Sequence, residues 1–83
     1  VDQTLIRTPR QLGATIQRRR KALGLTQTDL AGTVGLGQAT ISEIERGEGA
    51  RLESLMRIVV ALDFELMVRP RTRMDTDEIG EIF

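Results

Sequence analysis

The chain has 83 residues, of which 40% are hydrophobic and 29% charged, enough for one small domain whose core would gain from a partner. Cysteine, histidine and tyrosine are absent, which excludes disulfide frameworks and thiolate or imidazole metal sites, and removes most nucleophiles and near-neutral bases, so an enzyme is not expected and neither is a cofactor. Net charge is zero but uneven, because residues 1–73 hold all twelve Lys and Arg against eight acids (+4), while residues 74–83 hold four acids and no base (−4).

The opening VDQTLIRTPRQLG has neither the basic flank nor the apolar core of a secretion signal, and no run of about 18 apolar residues occurs, which points to a cytoplasmic protein with no membrane partner. Thr8, Pro9 and Gln11 form a Thr-x-x-Gln start that predicts a helix from Pro9, with Leu12, Ile16 and Leu23 inward and Gly24-Leu25 as its stop. Within it, RRRK (Arg18 to Lys21) sweeps about 300° of helix and cannot make one basic patch. Thr26 caps a second, short helix with Asp29 three residues on, and Leu30, Ala31 and Val34 form its inner face before Gly35. A third helix is expected over Gln38 to Arg46, between Gly37 and Gly47, held down by Ile41 and Ile44. The fourth is expected over Arg51 to Leu62, burying Leu52, Leu55, Ile58, Val59 and Leu62.

In DFELMVRP the period changes: Phe64, Leu66 and Val68 alternate with Glu65, Met67 and Arg69 until Pro70. This predicts one strand, which needs a partner, either Thr4 to Arg7 or the same strand of a second subunit, and pairing across a homodimer is the favoured reading. The fold expected is all-α, a compact bundle of four or five short helices plus this C-terminal strand. Residues 1–70 would form the folded and dimerisation domain and residues 71–83 a flexible acidic tail, whose last residues, Ile82 and Phe83, suit an apolar pocket in a partner.

Helices two and three carry the functional signal. Gln27, Ala31, Gly35, Ile41 and Ile44 occupy positions one, five, nine, fifteen and eighteen of a helix-turn-helix unit. A small residue at Ala31 lets the helices cross closely, and Gly35 supplies the positive φ of a tight turn. With Ile41 and Ile44 inward, Gln38, Ala39, Ser42 and Glu43 lie at the front of a recognition helix. Gln pairs bidentately with adenine, Ala touches a thymine methyl, Ser is an adaptable donor or acceptor, and Glu accepts from cytosine.

LGLTQTDLAGTVGLGQATISEIERG, Leu23 to Gly47, resembles the Cro and lambda-repressor type of helix-turn-helix domain, the XRE family, and the flanking helices extend the resemblance over about residues 8 to 63. It implies that Gln27 caps the second helix at a DNA phosphate and buttresses Gln38, and that Arg20 forms a partly buried ion pair with Glu45. The DNA contacts then expected are Gln27, Thr28, Gly37, Gln38, Ala39, Thr40, Ser42, Glu43 and Arg46. Three positions depart from the family pattern: Arg19 stands where an apolar residue is usual, Gly37 where a polar or basic one is common, and Glu43 brings a carboxylate near phosphates.

LIRTPRQL, QATIS and LDFELMV are similar, more narrowly, to HipB-like antitoxins. That resemblance implies a strand paired across the dimer through Phe64, Leu66 and Val68, repression of the protein's own operon at an inverted repeat, and a HipA-like serine/threonine kinase toxin as partner, with Ile82 and Phe83 as candidate toxin contacts. A stand-alone XRE-type regulator without a toxin is the alternative.

Overall fold

The computed structural model describes residues 3–71, so the acidic tail from residue 72, with Ile82 and Phe83, lies outside the described residues. Four helices follow in order: α1 (Pro9–Ala22), α2 (Gln27–Val34), α3 (Gln38–Glu45) and α4 (Leu52–Ala61).

Local hydrogen bonding sets most of these boundaries. At the start of α1 the Thr8 hydroxyl accepts from the Gln11 N–H at 3.1 Å, and the Gln11 side chain accepts in return from the Thr8 N–H at 3.2 Å. Thr26 and Asp29 repeat the arrangement at α2, both bonds 2.9 Å long. At the C-terminal end of α1, the N–H groups of Gly24 and Leu25 donate to the carbonyls of Lys21 and Arg20, and those of Gly47 and Glu48 close α3 by donating to Ile44 and Glu43. The same closure ends α4, where Asp63 and Phe64 donate to Val60 and Val59, but here the left-handed residue is Asp63, at φ +59°.

Ile16, Leu30, Ile41, Ile58 and Leu62 are fully buried, with Ala31, Val34 and Ile44 completing the core around them. Helix α1 crosses the C-terminal end of α3 at close range. A Cβ on Gly13 would sit 2.4 Å from the Ile44 carbonyl oxygen, and one on Gly47 would sit 2.7 Å from Cα of Arg10. Both positions must be glycine for the two helices to touch backbone to backbone.

Three expectations are corrected. Leu23 and Leu52 are exposed, not core. Leu23 caps α1 where the chain turns away, and Leu52 begins α4 on the outward side of the helix. Among the described residues there is no strand: residues 65–71 carry no regular structure, and no backbone hydrogen bond joins them to residues 3–7. A strand exists only with a second backbone beside it, and one chain does not supply that edge. Phe64 is instead turned inward against the core, while Leu66 and Val68 are exposed.

Arg19 fixes that turn. Its Nε donates to the Leu62 carbonyl at 2.9 Å, and its guanidinium lies 5.6 Å from the centre of the Phe64 ring. Arg18 reaches Thr15 and Arg20 reaches Glu45, so the three arginines point three ways.

Candidate nucleic-acid interface

Ile41, Ile44 and Glu45 form the buried side of α3, which leaves Gln38, Ala39, Glu43 and Arg46 exposed and Thr40 and Ser42 half-buried. Gln27 is half-buried at the start of α2, with Thr28 exposed beside it. Gly37 gives α3 no side-chain cap, and the first-turn N–H groups of Gln38 and Ala39 have no intramolecular partner, which leaves the positive end of the helix open to an anion.

A hydrogen-bonded relay runs from the interior to this face. The Arg20 guanidinium grips Glu45 with two bonds, Nε to Oε2 at 2.6 Å and Nη2 to Oε1 at 3.1 Å, and its Nη1 donates to the Leu25 carbonyl at 2.7 Å. Gln27 Nε2 donates to Glu45 Oε1 at 3.0 Å, and Gln38 Nε2 donates to Gln27 Oε1 at 2.6 Å. The direction of every bond follows from Glu45. An ionised carboxylate only accepts, so Gln27 must turn its amide nitrogen inward and its oxygen outward; that oxygen requires a donor, which turns the Gln38 nitrogen toward it. Gln38 is left with its oxygen and its second N–H free, an acceptor and a donor side by side, the pair a bidentate contact to adenine needs.

Burial pushes the Glu45 carboxyl up, but the hydrogen bonds from Arg20 and Gln27, with the charges of Arg20 and Lys21, outweigh it and hold the group below the ordinary carboxylate range. The bond to Glu45 raises Arg20 in turn. All buried side-chain polar atoms among the described residues have partners.

At the other end of α3, Arg46 Nη1 donates to the Ser42 hydroxyl, while its Nε and Nη2 hold Glu48 at 2.9 and 3.1 Å. Sequence reasoning did not single out Glu48. The signal was the Arg-Gly-Glu run, in which a left-handed glycine folds residue 48 back beside residue 46. The structure thus joins Gln27 to Gln38, Arg20 to Glu45 and Ser42 to Arg46, whereas the side chains of Thr28, Thr40 and Glu43 make no hydrogen bond among the described residues. There, too, no acidic cluster forms a metal site and no helix is long and apolar enough to cross a membrane.

The family model HTH_3, described as Helix-turn-helix, matches residues 16–67. The ImmF control region 10 kDa protein of Bacillus phage phi105 is 32% identical over 72 residues, covering 86% of this chain and 80% of that protein. Among solved structures, the HipA-HipB-O2-O3 complex contains a chain that superposes with a TM-score of 0.77 at 28% identity, over 84% of this chain and all of that one. The master regulator for biofilm formation SinR, solved in complex with DNA, superposes with a TM-score of 0.60 at 27% identity, over 65% of this chain and 89% of that one.

Proposed function

As the chain belongs to the HTH_3 helix-turn-helix family, the XRE type of DNA-binding regulator, we propose that it is a sequence-specific repressor that binds an inverted repeat as a homodimer. One observation carries the reading: Gln38 stands at the exposed tip of α3 with its amide direction fixed by Gln27 and Glu45, a reading group already oriented for a base edge. Ala39, Thr40, Ser42 and Glu43 share its helix, Thr28 and Gly37 flank the two helix starts, and Arg46 supplies a cation at the far end. Phe64, Leu66 and Val68 would pair with the same segment of a second copy, which supplies the missing strand edge.

The test is a titration of the protein against its own upstream region and against random DNA. Gln38→Ala should lower discrimination at one base pair by about 1–3 kcal/mol. Equal losses on both DNAs would overturn the role of Gln38, and no salt-sensitive binding to the upstream region would overturn the repressor reading.

The likeness to HipB in complex with HipA, over the whole of that HipB chain, favours an antitoxin with a HipA-like serine/threonine kinase toxin as its partner, residues 71–83 and especially Ile82 and Phe83 making the contact. The second reading, a stand-alone regulator, is favoured by the likeness to the phage control-region protein and to SinR. Co-purification with a kinase-like product of the adjacent reading frame separates them: a stable complex supports the antitoxin, its absence the stand-alone regulator.

A further inference from the structure

A groove lies between the approach to α1 and the loop before α4, outside the interface described above. It holds about 420 Å³, within the size range of sites that enclose small ligands, and its apolar walls are Ile6, Pro9, Leu12, Ala50 and Leu55. Local hydrogen bonds fix one wall: the N–H groups of Arg7 and Thr8 both donate to the Gln11 side chain, which sets the path of the residues before the helix. Ile6 is 38% exposed, and Leu12 and Leu55 are half-buried, so apolar surface stays open at the mouth. Three cations surround that mouth. Arg7 lines it, and Arg10 and Arg51 are the chain neighbours of Pro9 and Ala50. All three are exposed and their side chains make no hydrogen bond or ion pair among the described residues, whereas Arg18, Arg19, Arg20, Arg46 and Arg57 are each engaged. The acids that flank them in sequence are taken, Glu48 by Arg46 and Glu53 by Arg57.

Such a groove suits apolar side chains interleaved with carboxylates. Outside the described residues the chain carries that run itself: in DEIGEIF, residues 77–83, Ile79, Ile82 and Phe83 stand among Asp77, Glu78 and Glu81. We infer that residues 77–83 dock in this groove of their own chain, Ile82 and Phe83 against Ile6, Leu12 and Leu55, with the carboxylates beside Arg7, Arg10 and Arg51. The length of chain permits it. Residues 72–83 reach up to about 40 Å when extended, and Leu55 lies only about 9 Å of helix before the end of α4. A tether also supplies an effective concentration in the millimolar range, so a contact too weak to hold two separate molecules together is populated within one. The inference stands apart from the readings above: a toxin would compete with the groove for Ile82 and Phe83, and the test uses neither toxin nor DNA.

The chain contains neither tryptophan nor cysteine, so each introduced one is a unique reporter. In the full chain, Phe83→Trp should fluoresce at a shorter wavelength than the free peptide of residues 75–83 carrying the same substitution, at every protein concentration. Adding Ile6→Asp, or Arg7→Glu with Arg51→Glu, should return the emission to that of the peptide. These three positions are exposed, so circular dichroism should show unchanged helix content. Glu78→Arg with Glu81→Arg should also release the segment, and combining that pair with Arg7→Glu and Arg51→Glu should restore the shorter wavelength, a recovery that damage to the fold would not give. Under mild oxidation, Ile6→Cys with Phe83→Cys should close a disulfide within one chain about tenfold faster than Thr33→Cys with Phe83→Cys, whose α2 thiol is exposed but away from the groove. The inference is overturned if the introduced indole emits as it does in the free peptide, if its emission ignores Ile6→Asp and the charge exchanges, or if the Ile6→Cys pair gives covalent dimers or closes no faster than the control.

Discussion

Glu45 accepts two hydrogen bonds from Arg20 and one from Gln27, and without it Arg20, which is 6% exposed, has no counter-charge. Glu45→Ala should therefore cost about 3–5 kcal/mol in urea unfolding, the usual cost of breaking a buried pair from one side. The same group sets an acid sensitivity. Its carboxyl titrates lower in the folded state than in the unfolded chain, where about 4.3 is expected, so its contribution is complete above that pH and disappears as the pH falls through the folded value. Glu45→Gln should show a flatter fall in Tm between about pH 5 and 3 than the parent. Asp29 and Glu48 are also lowered, by Thr26 and Arg46, but they titrate alike in both proteins and cancel in the difference. Glu48 bears on the interface itself, because it accepts from two of the three nitrogens of the Arg46 guanidinium. Glu48→Gln should release that cation and tighten binding to random DNA, with about one more counterion in the salt slope; an unchanged slope would place Arg46 away from phosphate.

At the scale of the helices, the α1–α3 crossing depends on two missing side chains. Gly13→Ala should destabilise by about 1–3 kcal/mol in spite of alanine's better helix propensity, because the methyl meets backbone carbonyls that cannot move aside. Asp63→Gly should stabilise by about 0.5–1 kcal/mol, the relief of a left-handed non-glycine outweighing the extra freedom of the unfolded chain. Thermal melts of the two variants check both signs. These positions also show where the sequence was readable. The starts of α1 and α2 were legible because a capping box is written within four residues, and the end of α3 because Gly47 closes it locally. The resemblance placed Arg20 with Glu45 and Gln27 with Gln38, and the structure holds those contacts. Gly13 was not legible: what forbids a side chain there is the Ile44 carbonyl, far along the chain. Leu23 and Leu52 were misplaced because periodicity gives the direction of a face and not where its neighbour stops. The alternation after Asp63 predicts a strand because period two is local, whereas a strand's partner is not.

For the whole molecule, the division of charge matters more than its total. A body of +4 and a terminal segment of −4 on one chain compete for each other with the same forces that draw the body to phosphate. Removing residues 74–83 should raise affinity for random DNA at low salt and leave the discrimination between operator and random DNA largely intact; equal affinity with and without the segment, measured by fluorescence anisotropy, would remove it from DNA binding. The relay from Arg20 to Gln38 has a consequence for how such a protein diversifies. A replacement at position 38 leaves Gln27 without its donor, and a replacement at position 27 lets Gln38 swing, so the base contact proposed for Gln38 should change only through coordinated substitutions. Ala39 and Glu43 are exposed on the same helix and carry no such tie. In a library selected against altered operators, single-step escape should accumulate at positions 39 and 43 first, with position 38 changing late and in company with 27.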